Sequence, residues 1–139
     1  MTAPFRLGGL DHIVLRISNL EAMRAFYRDV LGCLEERRQP EIGLYQLRAG
    51  RSLIDLVPID GKLGSAGGAP PGSEGRNLEH FALAIDRFDS AAIRAHLDAY
   101  GVPILEEGPR YGAEGEGPSI YVRDPEGNVV ELKGPSFDR

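Results

Sequence analysis

Two segments of the chain alternate apolar residues with other residues in the same register. Ile13, Leu15 and Ile17 alternate with His12, Val14 and Arg16, and Phe81, Leu83 and Ile85 alternate with His80, Ala82 and Ala84. Side chains of a strand point to opposite faces in turn, so each segment predicts a strand with one greasy face and one histidine on the other. Both histidines then point away from the side that a helix would cover. After the first strand, Ser18 with Glu21 three residues on predicts a capping box, and Leu20, Met23, Phe26, Tyr27, Val30 and Leu31 recur at helical spacing before Gly32 stops the helix. After the second, Asp89 reads as an N-cap, Ile93, Leu97 and Tyr100 form the apolar stripe, and Gly101 closes it. The chain is an internal duplication.

Three shorter strands are expected after each helix. In the first half they fall at about 34 to 39, 43 to 49 and 52 to 57, with turns at Gly43 and Gly50-Arg51. In the second they fall near 103 to 106, 118 to 123 and 128 to 133, the last two joined by the turn Asp124-Pro125-Glu126-Gly127-Asn128. The fold class is therefore α+β, built from two βαβββ modules. Module 1 covers about 8–58 and module 2 about 78–134, within one domain of 8–134. Between them, about 59–77 is rich in Gly, Ser, Ala and Pro and reads as a linker, long enough to serve also as a lid or binding loop.

The same alternation places carboxylates. In the final strand Val130 and Leu132 face the helix and leave Glu131 on the side of the histidines. In the matching strand of module 1, Asp55 holds the corresponding position. Two imidazoles and one or two carboxylates suit a borderline divalent ion such as Ni, Zn, Mn or Fe(II), with open positions for substrate. His12, His80 and Glu131 are the candidate metal ligands, expected to converge within one chain or across a dimer. Tyr121 shares their parity, ten residues before Glu131, and is a candidate catalytic residue or a rim residue. Arg16 and Arg48 share it too, and either could hold an acidic substrate.

Composition narrows the function. The 139 residues suffice for one domain, and 42% hydrophobic residues provide its core. A net charge of -5 offers no basic field for a polyanion, which argues for a small-molecule partner and against nucleic acid. The single cysteine, Cys33, excludes an internal disulfide and has no neighbour that would activate it. No apolar run approaches the ~18 residues of a membrane span and none resembles a secretory signal, so the expected location is the cytoplasm, without a membrane partner. His96 reads as a solvent-facing helix residue, and Glu35-Glu36-Arg37-Arg38 as a solvated edge strand.

Leu10-Asp11-His12, Phe26-Tyr27 to Leu31-Gly32, Leu78-Glu79-His80 and Ile120-Tyr121-Val122-Arg123-Asp124-Pro125-Glu126-Gly127-Asn128-Val129-Val130-Glu131 together resemble the vicinal oxygen chelate superfamily. That superfamily includes glyoxalase I, extradiol dioxygenases, fosfomycin-modifying enzymes and bleomycin-binding proteins. The stretches Val102-Pro103-Ile104 to Glu107-Gly108-Pro109-Arg110 and Ser119-Ile120-Tyr121 look most like its glyoxalase-domain-containing, virulence-protein-like branch. The resemblance implies sheets curled around a metal cleft, with His12, His80 and Glu131 at the family's ligand positions. Asp55 lies where glyoxalase I has a further glutamate, and the family's frequent pairing implies a homodimer.

The implied activity is that of a glyoxalase I-like lyase or isomerase. Its ion stabilises an enolate or oxyanion of a small chelating substrate, with Glu131 as the proton-moving carboxylate and Asp55 as second choice. Two alternatives stand beside it. One is an Fe(II) or Mn(II) extradiol-type dioxygenase, which Tyr121 suggests, although those enzymes carry a histidine where this chain has Tyr111 to Glu114. The other is a binding protein that sequesters a small molecule without chemistry.

Overall fold

A computed structural model describes residues 3–138. The first half runs β1 (His12–Ile17), α1 (Leu20–Ala25) with a π-helical turn over Phe26–Val30, β2 (Leu34–Gln39), a 3-10 turn at Pro40–Ile42, β3 (Leu44–Ala49) and β4 (Ser52–Pro58). The second half runs β5 (Phe81–Ala84), α2 (Ser90–Ala99), β6 (Glu106–Gly112), β7 (Gly115–Arg123) and β8 (Val129–Lys133). Each half folds into a four-stranded sheet of identical topology, β1-β4-β3-β2 and β5-β8-β7-β6, in which the first strand lies parallel to the last. The two βαβββ modules are thus present, each in an open mixed sheet.

The helix-facing sides form one core. Leu15, Ile17, Met23, Phe26, Tyr27, Leu47, Ile54 and Leu56 pack in a cluster that also contains Leu97, Ile120, Val122, Val130 and Leu132. Ile13, Phe81, Leu83 and Ile85 lie partly buried against it, as their alternation predicts. Because apolar burial is worth about 25 cal/mol per Å², this shared cluster is what holds the modules to each other as well as each sheet to its helix. At its centre the Tyr27 hydroxyl, in a fully buried ring, donates to Asp124 Oδ2 at 2.8 Å across 97 residues of sequence.

Several local expectations shift for physical reasons. The N-cap of α1 is Asn19, not Ser18: its Oδ1 accepts from the Ala22 N–H at 3.0 Å. The N–H groups of Ser18 and Asn19 donate instead to the Glu126 carboxylate, at 2.8 and 2.7 Å, from the β7–β8 turn of the other module. Glu21, free of any capping box, pairs with Arg24 at 2.8 Å.

The strand expected near 103 to 106 starts at Glu106 and runs to Gly112, and its partner β7 begins at Gly115 rather than 118. The segment reads as loop because it is dense in Gly and Pro. It forms a hairpin because Pro109 sits opposite Pro118 and β6 is an edge, so the missing donors share one rung. The strands expected at 34 to 39, 43 to 49, 52 to 57 and 128 to 133 lie within a residue of their places. Glu35 to Arg38 do form an exposed edge strand.

The segment joining the sheets contains no helix or strand, yet it is a chain of turns with its own bonds: Gly61 N–H to Pro58 O, Leu63 N–H to Ile42 O and Ser65 N–H to Gly61 O, at 2.9, 3.2 and 3.0 Å. Arg76, near its end, donates to Asn128 Oδ1 at 3.1 Å and Glu126 O at 3.0 Å. His96 is exposed on α2, but its ring Nε2 reaches Val30 O at 2.7 Å and so ties the two modules. Among the described residues no helix is long and apolar enough to cross a membrane.

Candidate functional site

The ladder register fixes which side chains share the faces opposite the helices. In the first sheet Val14 lies opposite Asp55 and Asp55 opposite Gln46, so His12, Asp55, Gln46 and Arg48 share one face. In the second, Ala82 lies opposite Glu131 and Glu131 opposite Tyr121, so His80, Glu131, Tyr121 and Ser119 share the equivalent face. Asp55 in one module and Tyr121 in the other therefore lie where strand parity predicts them.

Each face holds a histidine–carboxylate pair. On the first, His12 Nδ1 bonds Asp11 Oδ1 at 2.7 Å and Nε2 lies 4.0 Å from Asp55 Oδ2. Asp55 is 3% exposed, and Gln46 Nε2 donates to its two oxygens at 3.2 and 3.3 Å. On the second, His80 Nδ1 bonds Glu79 and Nε2 lies 3.1 Å from Glu131 Oε1. The buried Ser119 hydroxyl donates to Glu131 Oε2 at 2.6 Å. The Tyr121 ring stands edge-on to His80 with centroids 5.5 Å apart. Arg110 folds back over the side-chain-free Gly108, pairs with Glu106 and lies 5.4 Å above the Tyr121 ring.

The acid immediately before each histidine has the same function in both halves. In the neutral imidazole a carboxylate on Nδ1 would hold the proton there and leave Nε2, turned to the side of the buried carboxylate, as the nitrogen able to meet a cation. It also raises the histidine pKa above the ordinary value, His12 chiefly through its bond to Asp11 and His80 chiefly through its bond to Glu79. Burial, with a smaller contribution from Glu131, pushes the Tyr121 phenol up. Asp11, Glu79, Ser119, Gln46 and Arg110 carry no role in the sequence reading. The duplicated acid-His dipeptides, Asp11-His12 and Glu79-His80, were the signal that could have found the first two.

Within one chain, His12, His80 and Glu131 do not form a single group. They stand as two pairs, His12 with Asp55 and His80 with Glu131, and among the described residues no three His, Cys, Asp or Glu side chains gather closely enough to hold one ion. The donor types fit a borderline divalent cation, but two donors per pair fall short of the three protein ligands of a catalytic site. Of the two arginines on the first face, Arg48 is paired with Glu36, and Arg16 bonds the turns of the connecting segment.

Known proteins share this architecture. The family model described as the Glyoxalase/Bleomycin resistance protein/Dioxygenase superfamily matches residues 9–132. The Virulence protein STM3117 of Salmonella typhimurium (strain LT2) is 30% identical over 130 residues, which cover 88% of this chain and 81% of that protein. Its crystal structure superposes with a TM-score of 0.75 over 94% of this chain and 99% of its own. The mitochondrial methylmalonyl-CoA epimerase of Bos taurus is 28% identical over 135 residues, covering 93% of this chain and 75% of the epimerase. A lactoylglutathione lyase from Agrobacterium tumefaciens, 23% identical, shares the fold with a TM-score of 0.64 over 92% of this chain and 94% of that one. The match of the family model across nearly the whole chain, on the paired-sheet frame just described, makes this protein a member of the glyoxalase, bleomycin resistance protein and dioxygenase superfamily.

Proposed function

We propose that the chain is a metal-dependent lyase or isomerase of glyoxalase I type, acting on a small molecule with neighbouring oxygens in a cleft shared by two protomers. The observation that carries this reading is the repeated half-site: a histidine with Nδ1 held by the preceding acid and Nε2 turned to a buried carboxylate, once on each sheet. A pair of copies with two-fold symmetry would set the first face of one protomer against the second face of the other, twice. His12 of one protomer, with His80 and Glu131 of its partner, would then hold the ion. The ion, of the Ni, Zn, Mn or Fe type, supplies electrophilic stabilisation of negative charge on substrate oxygens.

The protein's own groups move the proton. Ser119 fixes Glu131 Oε2, which leaves Oε1 as the edge that would accept a proton from the carbon next to the substrate oxygen, a role open to it only when it is free of the ion. Asp55 is the second base in this reading, held by the Gln46 amide and facing His12. Tyr121 stands opposite Glu131 in the β7–β8 ladder, and its hydroxyl is the group through which that proton can return. The epimerase relative and the lyase neighbour bear names of this reaction class, which supports the assignment. The position of Tyr121, edge-on to His80, favours a second reading as an Fe(II) or Mn(II) dioxygenase. Elemental analysis of protein purified without added metal separates the two. Nickel or zinc is expected, and iron or manganese would shift the assignment to the dioxygenase.

Mixing of variants tests the shared cleft. His12→Ala and His80→Ala are each expected to bind no ion tightly. When the two are unfolded and refolded together, about a quarter of the wild-type sites should return, because half of random pairs are mixed and each mixed pair holds one intact site. Sedimentation should show the dimer in all samples. No recovery on mixing, or a monomer at micromolar concentration, defeats the two-protomer site.

A further inference from the structure

Strand parity counts two arginines on the cleft face of the first sheet, Arg16 and Arg48, and a bulge in β2 adds a third. In the β2–β3 ladder Glu35 lies opposite Leu47 and Arg37 opposite Gln46, so one step along β3 takes two along β2 and Glu36 is the extra residue. Regular alternation from Leu34, which lies opposite Arg48, would turn Glu36 and Arg38 to the cleft. The bulge turns Arg37 there instead and sends Arg38 to the helix side, opposite Tyr45. Re-aiming a side chain is what bulges do beside binding sites.

The row so formed crosses three strands. Arg37 lies opposite Gln46, and Gln46 opposite Asp55, whose carboxylate is 4.0 Å from His12 Nε2. At a strand spacing of about 4.8 Å, the backbones of Arg37 and Asp55 are about 10 Å apart. Gln46 commits its Nε2 to both oxygens of Asp55, at 3.2 and 3.3 Å, and keeps its Oε1 as an acceptor.

The acids around Arg37 are matched to other groups. Glu36 takes Nε and one terminal nitrogen of Arg48, at 2.8 and 2.7 Å, and Glu35 on the helix side takes Arg24 Nε at 2.6 Å. No hydrogen bond or ion pair joins Arg37 to another described residue. All five of its N–H donors are open to a ligand. A charge placed only to keep a sheet edge from pairing could face either side, as Arg38 does. The bulge, and the capture of its extra residue by Arg48, set Arg37 apart.

We propose that Arg37 is an oxyanion-binding residue of the cleft, and that the substrate carries a carboxylate or phosphate that reaches Arg37 while its reacting end lies by His12 and Asp55. This deepens the function proposed above and rests on it for the position of the reacting end only.

The test uses metal-free protein with a chelator present, so that no bound ion can hold the probe. Inorganic phosphate and malonate are titrated separately at constant ionic strength, and the arginine Nε–H resonances are followed by NMR. The Arg37 resonance should move saturably with at least one probe, and the tighter probe identifies the oxyanion. Arg38 is the control, since it is the next residue, is also exposed, and takes the opposite face. Its resonance should stay still. Arg37→Gln should weaken the binding about ten-fold or more, the loss of a charge-assisted contact. Arg38→Gln should leave it unchanged.

His12→Ala should also retain it, so an intact anion site in that variant stands whether or not the metal reading survives. Amide exchange over β2 and β3 reports whether Arg37→Gln disturbs the edge, and Arg37→Lys, which keeps the charge on the same face, should then recover part of the binding. The proposal is overturned by any of four results: no saturable shift with either anion, equal binding by Arg37→Gln, equal weakening by Arg38→Gln, or loss of the site in His12→Ala.

Discussion

At the scale of single residues, the acid before each histidine decides how the imidazoles behave. Because Glu79, and to a smaller degree Glu131, favour protonated His80, its folded pKa lies above 6.5. A raised pKa means that the folded state binds the proton more tightly than the unfolded chain. The resulting stability is present below pH 6.5 and is lost as pH rises through the folded pKa. Metal uptake in the function proposed above would run the opposite way, since a ligating imidazole must first lose that proton. In metal-free protein, NMR titration should place His80 above 6.5, and Glu79→Gln should lower it more than Glu131→Gln does. Equal or reversed effects would show that Glu79 does not set the imidazole's protonation.

Between elements, side chains of one module complete the backbone of the other. Glu126 of the β7–β8 turn takes the N–H groups that open α1, and Asp124 of the same turn accepts from Tyr27, the Glu126 and Asn128 N–H groups and the Asn128 amide. Tyr27→Phe removes one of these donors while keeping the ring in the core. Asp124 Oδ2 still accepts from Asn128 Nδ2 at 2.8 Å, so the carboxylate is not orphaned. A loss of about 1.5–3 kcal/mol is expected, the contribution of a hydrogen bond to a charged group. Urea unfolding should show a lower midpoint at unchanged slope. A changed slope would mean that the modules had begun to unfold separately, and that this bond couples them.

For the whole molecule, the division of labour between the two faces of each sheet has a direct consequence. The core holds Leu15, Ile17, Leu56, Val130 and Leu132, and the histidines are outside it. His80→Ala removes a cleft side chain and no core volume, so it should lose metal and still melt cooperatively. Thermal melting and metal content, measured on one sample, check this. Collapse of the transition together with metal loss would point to a structural ion, for which binding free energy is folding free energy.

The features legible in the sequence are those written in short-range periodicity. Alternation over six residues is enough to place His12 and His80 on equivalent faces and Glu131 and Asp55 beside them, because strand parity is a local property of the backbone. The duplication, and with it the two-module fold, follows from finding that pattern twice. Tertiary structure alone decided what depends on contacts between distant segments. That Asn19 caps α1 depends on Glu126, 107 residues away. A Gly- and Pro-rich stretch became β6 because an edge strand needs only one ladder. Arg16 became a clamped cation because three carbonyls more than 45 residues on turn back to it, separations of 48, 52 and 53 residues that no local pattern encodes. The two histidine–carboxylate pairs stand apart for the same reason. Parity sets the face of a side chain, and only the packing of the sheets sets which faces meet.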